Sequence, residues 1–167
     1  MTALLLYLFA GEAGIEIKRI LLPTDFSTYS AAATKYACEF ATKFDAELHV
    51  LHTLEVHLSA TPGFGMGLAL PQYLQESRAA AEKALASVLD PQWAAGRKVV
   101  KAVIEGSPKV EIVRYARQHD VDVIVLATHG RSGLAHVIIG SVAECVVRAA
   151  PCPVLTVRPE GHQFVMP

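Results

Sequence analysis

The chain is poor in the residues that build disulfide frameworks, with three cysteines in 167 residues and no CxxC pair among them. An odd count cannot close a full disulfide set, so Cys38, Cys145 and Cys152 point to a reducing, cytoplasmic compartment. Cys38 and Cys145 fall in apolar helical patterns and Cys152 opens an apolar run, which marks all three as small core residues rather than nucleophiles. Charge is also scarce, at 19% of residues, and it is balanced: 15 Lys+Arg against 16 Asp+Glu give a formal net charge of −1. A protein that holds nucleic acid or a membrane surface usually carries a basic excess, and none exists here. A membrane span is equally missing, since crossing a bilayer takes about 20 apolar residues. The apolar stretch ALLLYLFA at residues 3–10 is far shorter, and no Lys or Arg precedes it to start a secretory signal. Gly11-Glu12-Ala13-Gly14 then interrupts the chain. Residues 1–15 read as an extension outside the core, with a degenerate signal peptide as the alternative.

What the chain does have is core material. Hydrophobic residues make up 52%, enough for one compact domain and too many for disorder or a coiled coil. Five apolar runs alternate with four helical patterns. The runs are residues 17–23, 47–54, 98–104, 121–127 and 152–157. Between the first two, Ala33, Tyr36, Ala37, Phe40, Ala41 and Phe44 keep the three-and-four spacing of a helix face. Leu74, Ala81, Leu85 and Val88 mark a second helix that stops before Pro91. Pro108 suits the first turn of a third, with Ile112, Val113 and Ala116 inward. Val142, Cys145, Val146 and Ala149 give the fourth. The run VDVIVLA is apolar almost throughout, as a strand covered on both faces should be. Regular alternation of this kind predicts right-handed βαβ units, hence a doubly wound α/β domain around a parallel sheet. Residues 55–71 carry three alternating glycines without the GxGxxG spacing; they read as a flexible connection, or alternatively as a lid beside a cleft.

In such sheets a ligand lies outside the carboxyl ends of the strands, where connections diverge to opposite faces. With strands 1 and 4 as central neighbours, two loops flank that crevice: Pro23-Thr24-Asp25-Phe26-Ser27, and Ala127-Thr128-His129-Gly130-Arg131-Ser132-Gly133 running on to Gly140-Ser141. Ser141 with Glu144 has the spacing of a capping box. Free amides at that helix start and around Gly130 could wrap phosphate oxygens, because a helix N-terminus offers unpaired N–H groups and the positive end of its dipole. Glycine at 130 and 140 allows close backbone approach. Asp25 either assists the cap of the first helix, with Ser27 as the cap residue, or accepts hydrogen bonds from a ligand's amino or hydroxyl groups. The seven histidines compose no metal site by spacing: His49 and His52 are three apart on a strand and face opposite ways, and His129 and His136 lack a partner at ligand spacing. A hydrolase built on Ser141 or Cys145 with His129 and Asp25 is the rival chemistry, but no GxSxG elbow is present.

From Ile17 to Arg158 the chain resembles the universal stress protein family. The resemblance rests on KRILLPTDFS, LHVLHTLE, EGSP, DVIVLATHGRSGL, IIGSVAECVV and APCPVLTVRP. It implies a domain over 16–159, with 160–167 as a tail, and a five-stranded parallel sheet in the order 3-2-1-4-5. ATP-binding members carry G-x2-G-x9-G-[ST]; Gly130, Gly140 and Ser141 match it, while Ala127 stands at the first glycine. The resemblance implies a stress-response regulator that binds ATP, or ADP or AMP, with Mg²⁺ arriving on the nucleotide and hydrolysis at most slow. Thr24 and Asp25 would lie near ribose and adenine, and Thr53 would meet adenine through its backbone. Gly130, Gly140, Ser141 and Val142 would hold the phosphates, with Pro23, Ala127, His129 and Arg131 completing the lining. It also implies a homodimer that pairs the last strand through Val154, Leu155, Thr156 and Val157, where an apolar edge favours closed association. A nucleotide-free dimeric interaction module of the same fold is the alternative that Ala127 leaves open.

Overall fold

The computed structural model describes residues 15–55, 66–128 and 139–158. The outer extension up to residue 14, the tail from 160 and the segment 56–65 lie outside the described residues. Five parallel strands form one sheet in the order β3-β2-β1-β4-β5, as the alternation and the resemblance require. The strands are β1 (Arg19–Pro23), β2 (Glu47–Leu54), β3 (Val99–Glu105), β4 (Val123–Ala127) and β5 (Val154–Val157). The helices are α1 (Thr28–Phe44), α2 (Met66–Ala86), the short α3 (Pro91–Ala94), α4 (Pro108–Gln118) and α5 (Ser141–Ala149).

Alternation along the strands sorts the core into two layers. Ile20, Leu22, Leu48, Val50, Val123 and Val125 meet Ala33, Ala37 and Ala41 of α1 and Leu85 of α2. Leu21, Leu51, Ile124 and Leu126 face the other way, onto Ile112, Val113 and Ala116 of α4 and Ala143 and Val146 of α5. Ile20 sits in register with Leu48 on one side and Val123 on the other, which places β1 at the centre. Each fully buried aliphatic side chain contributes about 1.5–3 kcal/mol, so these layers dominate folding. Among the described residues, no helix is long and apolar enough to cross a membrane.

Several local expectations need correction. The buried stripe of α1 is Ser30, Ala33, Ala37 and Ala41; Tyr36, one residue before Ala37, and Phe44, three residues after Ala41, are 52% and 45% exposed. Small side chains let α1 lie close on the sheet, and Tyr36 is rotated off its inner line by about 100° and Phe44 by about 60°. Helix α2 begins at Met66 and takes Pro71 inside, so the end of the supposed connection 55–71 is helical. Pro71 is the sixth residue of this helix, past the first turn, so its missing N–H forgoes the bond to the carbonyl four residues earlier. In α5 the buried residues are Ala143 and Val146, while Ala149 is exposed and Cys145 half-buried. All three cysteines are free and half-buried rather than fully enclosed.

His49 and His52 do face opposite sides of β2. His49, 4% exposed, lies toward α4 with Nδ1 2.8 Å from the Tyr115 hydroxyl and its ring 5.5 Å from that of His119. Burial, then the charges of His119 and Arg19, push its imidazole below the usual histidine range against the opposing pull of Glu47. Burial likewise pushes the Tyr115 hydroxyl up.

Candidate functional site

At the carboxyl edge of the sheet, β1 ends at Pro23 and the chain turns through Thr24–Ser27 into α1. Thr24 is buried, its N–H donating to Leu51 O at 2.9 Å. Its side chain supports the turn: Thr24 Oγ1 accepts from Phe26 N at 3.1 Å and lies 3.1 Å from Ser30 Oγ. Ser27 caps α1 by accepting from Ser30 N at 3.2 Å. Asp25 Oδ1 accepts from Ser27 N at 3.0 Å and from Ser27 Oγ at 2.6 Å. Asp25 therefore does assist the cap, and its carboxylate is oriented by it. Phe26 holds φ 64°, a left-handed conformation uncommon for a bulky side chain.

The second wall is built by β4 and α5. Thr128, 2% exposed, donates its N–H to Val157 O at 2.9 Å and accepts from Gly140 N at 2.7 Å. This bond closes the excursion that leaves β4 and returns at α5. Gly140 is the N-cap, with φ −65° and ψ 153°, and Ser141 is the first helical residue. The expected capping box is thus absent: Ser141 stands one position too late to cap, and Glu144 pairs with Arg148 at 2.9 Å instead. The N–H groups of Ser141, Val142 and Ala143 have no intrahelical acceptor, as in any first turn. The Glu144 N–H is the first to close back, onto Gly140 O at 2.9 Å.

Between the walls lies a cavity of about 740 Å³, within the usual range of ligand sites. The structure brings Pro23, Thr24, Asp25, Thr53, Ala127, Gly140, Ser141 and Val142 together on its lining. His129, Gly130 and Arg131 lie outside the described residues. Ala127 ends β4 opposite Val157, so alanine there occupies ordinary strand backbone. Beta-strand β1 stops opposite Leu51, whereas β2 runs on to Leu54. Leu51 O accepts from Thr24 N, and Thr53, two residues on, turns its main-chain groups to that same side, past the end of β1.

The lining also includes residues that the sequence reading missed: Phe26, Ser30, His52, Tyr73, Ser77 and Ile112. Strand alternation could have placed His52 beside the first turn. Nothing in the sequence signals the contribution of α2, whose start was hidden by the glycine-rich stretch. The described lining carries Asp25 and Glu55 but no Lys or Arg. Of the two candidate nucleophiles, Ser141 lies on the lining, whereas Cys145 Sγ lies 3.9 Å from Lys109 O of α4, off the described lining. Burial, then Glu39, pushes the Cys38 thiol up to about 11 against Arg97, and burial followed by Asp122 also raises that of Cys152.

Known proteins share both sequence and architecture with this chain. A profile of the universal stress protein family matches residues 16–158. Universal stress protein MJ0531 of Methanocaldococcus jannaschii is 36% identical over 142 residues, covering 84% of this chain and 82% of that protein. The solved structure of universal stress protein UspA from Lactobacillus plantarum agrees with a TM-score of 0.75 at 30% identity, covering 87% of this chain and 100% of that one. A universal stress protein solved in complex with cAMP shares the fold at a TM-score of 0.63 and 24% identity, over 85% of this chain and 97% of the other. With 16–158 inside the family profile and the sheet order matching, the chain belongs to the universal stress protein family.

Proposed function

We propose that this protein binds an adenine nucleotide, ATP or its products ADP and AMP, in the cavity between β1 and β4, and serves as a stress-response regulator in the cytoplasm. The observation that carries the reading is the convergence of the Pro23–Asp25 turn, Thr53 and the start of α5 on one cavity. The residues present fit such a ligand. The open amides of Ser141, Val142 and Ala143 suit phosphate oxygens. The Thr53 main chain, turned past the end of β1, suits the hydrogen-bonding edge of a base, and Asp25 suits ribose hydroxyls. Mg²⁺ on the nucleotide would neutralise phosphate charge. Among the described residues of the lining none is placed as a general base for an attacking water, and hydrolysis is read as at most slow. The relative solved with cAMP adds precedent for an adenine nucleotide on this fold. Three free cysteines favour the reducing compartment.

The protein is further read as a homodimer that pairs β5. Strand β5 stands at the sheet edge. Ile124 N donates to Pro153 O and Thr128 N to Val157 O, so odd-numbered residues face β4, leaving the main chain of Val154 and Thr156 turned outward. Such an edge favours a second strand. A mass spectrum of the small molecules released from purified, denatured protein tests the ligand, together with calorimetric titration of ATP, ADP and AMP. An adenine nucleotide released or bound upholds the reading. None in either experiment favours the nucleotide-free dimeric module, for which Ala127 in the glycine pattern speaks.

A further inference from the structure

The turn that carries Asp25 is held in its strained shape from the neighbouring strand. Phe26 keeps φ 64°, and a bulky residue persists there only when its surroundings fix it. Two contacts come from His52 of β2. The imidazole lies against the Phe26 ring, with centroids 4.2 Å apart and planes at 32°. Its Nδ1 is 2.8 Å from Thr24 O; a carbonyl only accepts, so Nδ1 carries the proton and donates. His52 is buried at 6% exposure yet reaches the cavity lining. One side chain thus secures the residue before Asp25 and the residue after it. An aliphatic residue at this position would fill the space and leave the Thr24 carbonyl without that donor.

We propose that His52 is a positioning residue for the ribose and adenine end of the cavity, a role that rests on the nucleotide reading above. It acts through the backbone of Thr24 and the ring of Phe26 to hold the Asp25 carboxylate and the Thr24–Ser27 main chain in place. The start of α5, on the opposite wall, does not depend on it. The two ends of a nucleotide therefore respond differently to its loss.

The test compares wild type, His52→Leu and His52→Asn by calorimetric titration with AMP and with inorganic tripolyphosphate, and by hydrogen exchange of the Thr24–Ser27 amides. Loss of one hydrogen bond and its support predicts a fall in AMP affinity of roughly tenfold in His52→Leu, with tripolyphosphate unchanged. Exchange at Thr24 and Phe26 rises in the same variant. Asparagine, whose amide can donate from nearly the position of Nδ1, recovers most of both effects. If His52→Leu fails to fold, Phe26→Gly carries the test. Glycine accepts φ 64° without strain but removes the ring, so exchange in the turn must rise and AMP affinity fall. A folded His52→Leu with unchanged exchange in the turn overturns the proposal whatever the nucleotide does. Equal weakening of AMP and tripolyphosphate overturns it as well, because that marks a global effect. A wild type that binds no nucleotide refutes the proposed function alone, and the exchange readout still decides the role of His52 in the turn.

Discussion

Gly140→Asp should raise stability and weaken ATP binding at once, and this opposition of signs makes it the sharpest probe of the α5 start. Gly140 is an N-cap in extended geometry, φ −65° and ψ 153°, which any residue adopts. An aspartate there accepts from the first-turn amides and faces the positive end of the helix. Relative to glycine the gain is about 0.5–1 kcal/mol, which raises Tm by roughly 1–4 °C in a domain of this length. The same carboxylate occupies the cradle proposed for the phosphates. A like charge about 5 Å away costs about 3 kcal/mol at an effective dielectric of about 20. The amides that it captures are lost to the ligand in addition. ATP affinity then falls by about two orders of magnitude. Scanning calorimetry reads the first effect and isothermal titration the second. Misfolding would lower both, so a raised Tm with lost binding isolates the site. ATP held equally by wild type and Gly140→Asp refutes the placement of phosphates at α5, and a lowered Tm refutes the N-cap geometry.

Gly106→Ala tests the EGSP turn: Gly106 has φ 141°, and a Cβ would lie 2.8 Å from Glu111 Cγ. We expect a Tm lower by roughly 5–10 °C, only partly restored by Glu111→Ala, which removes the clash but not the backbone strain; unchanged Tm would contradict the geometry. For the proposed dimer, a proline belongs at Thr156 rather than Leu155, since Leu155 faces β4 while Thr156 N–H faces outward. Thr156→Pro should sediment as a folded monomer where wild type sediments as a dimer, and an unchanged dimer would sink edge pairing. His49 has a folded pKa below its ordinary 6.5, so the unfolded chain binds the extra proton between the two values. Stability is then intact above about pH 6.5 and falls below it, at no more than about 1.4 kcal/mol per pH unit from this group. Urea midpoints at pH 7.5 and 5.5 should show a smaller acid loss in His49→Gln, and identical losses would discount the group.

Legibility tracked the strength of the local pattern. Residues 47–54 are β2 in the structure because an eight-residue run of high β-propensity leaves its ends unambiguous. The continuous apolar run of β4 follows from burial on both faces: Val123, Ile124, Val125 and Leu126 are all enclosed. Ser27 is the N-cap of α1 as its position predicts. Boundaries failed where two rules competed. At Ser141–Glu144 the S-x-x-E spacing suited a capping box, but the bond from Gly140 N to Thr128 O fixes glycine as the cap. On α1, hydrophobicity gave aromatics and alanines equal weight, while only the alanines allow close approach to the sheet. Two cavity walls were legible because loops after adjacent central strands must meet. The wall from α2 depends on tertiary placement that no spacing in the chain encodes, whereas alternation along β2 already puts His52 on the α1 side with Leu48 and Val50.

The balanced charge of the chain constrains how its cavity could hold a polyanion. The described lining presents Asp25 and Glu55 and no cationic side chain, so a phosphate entering alone meets repulsion first. Among the described residues, attraction comes from oriented N–H groups, and a helix start supplies about half a positive charge at a fixed point. Such a cradle orders no long side chain on binding, which spares the entropy that lysines would lose. Its strength depends instead on where α5 begins. That point is set by Thr128, whose carbonyl accepts from Gly140 and whose N–H donates to Val157 of β5. Ala143 and Val146 then press the same helix onto the core. A phosphate site of this kind is specified by backbone registration, which is how a protein of net charge −1 could accommodate a nucleotide with no Lys or Arg on the described lining.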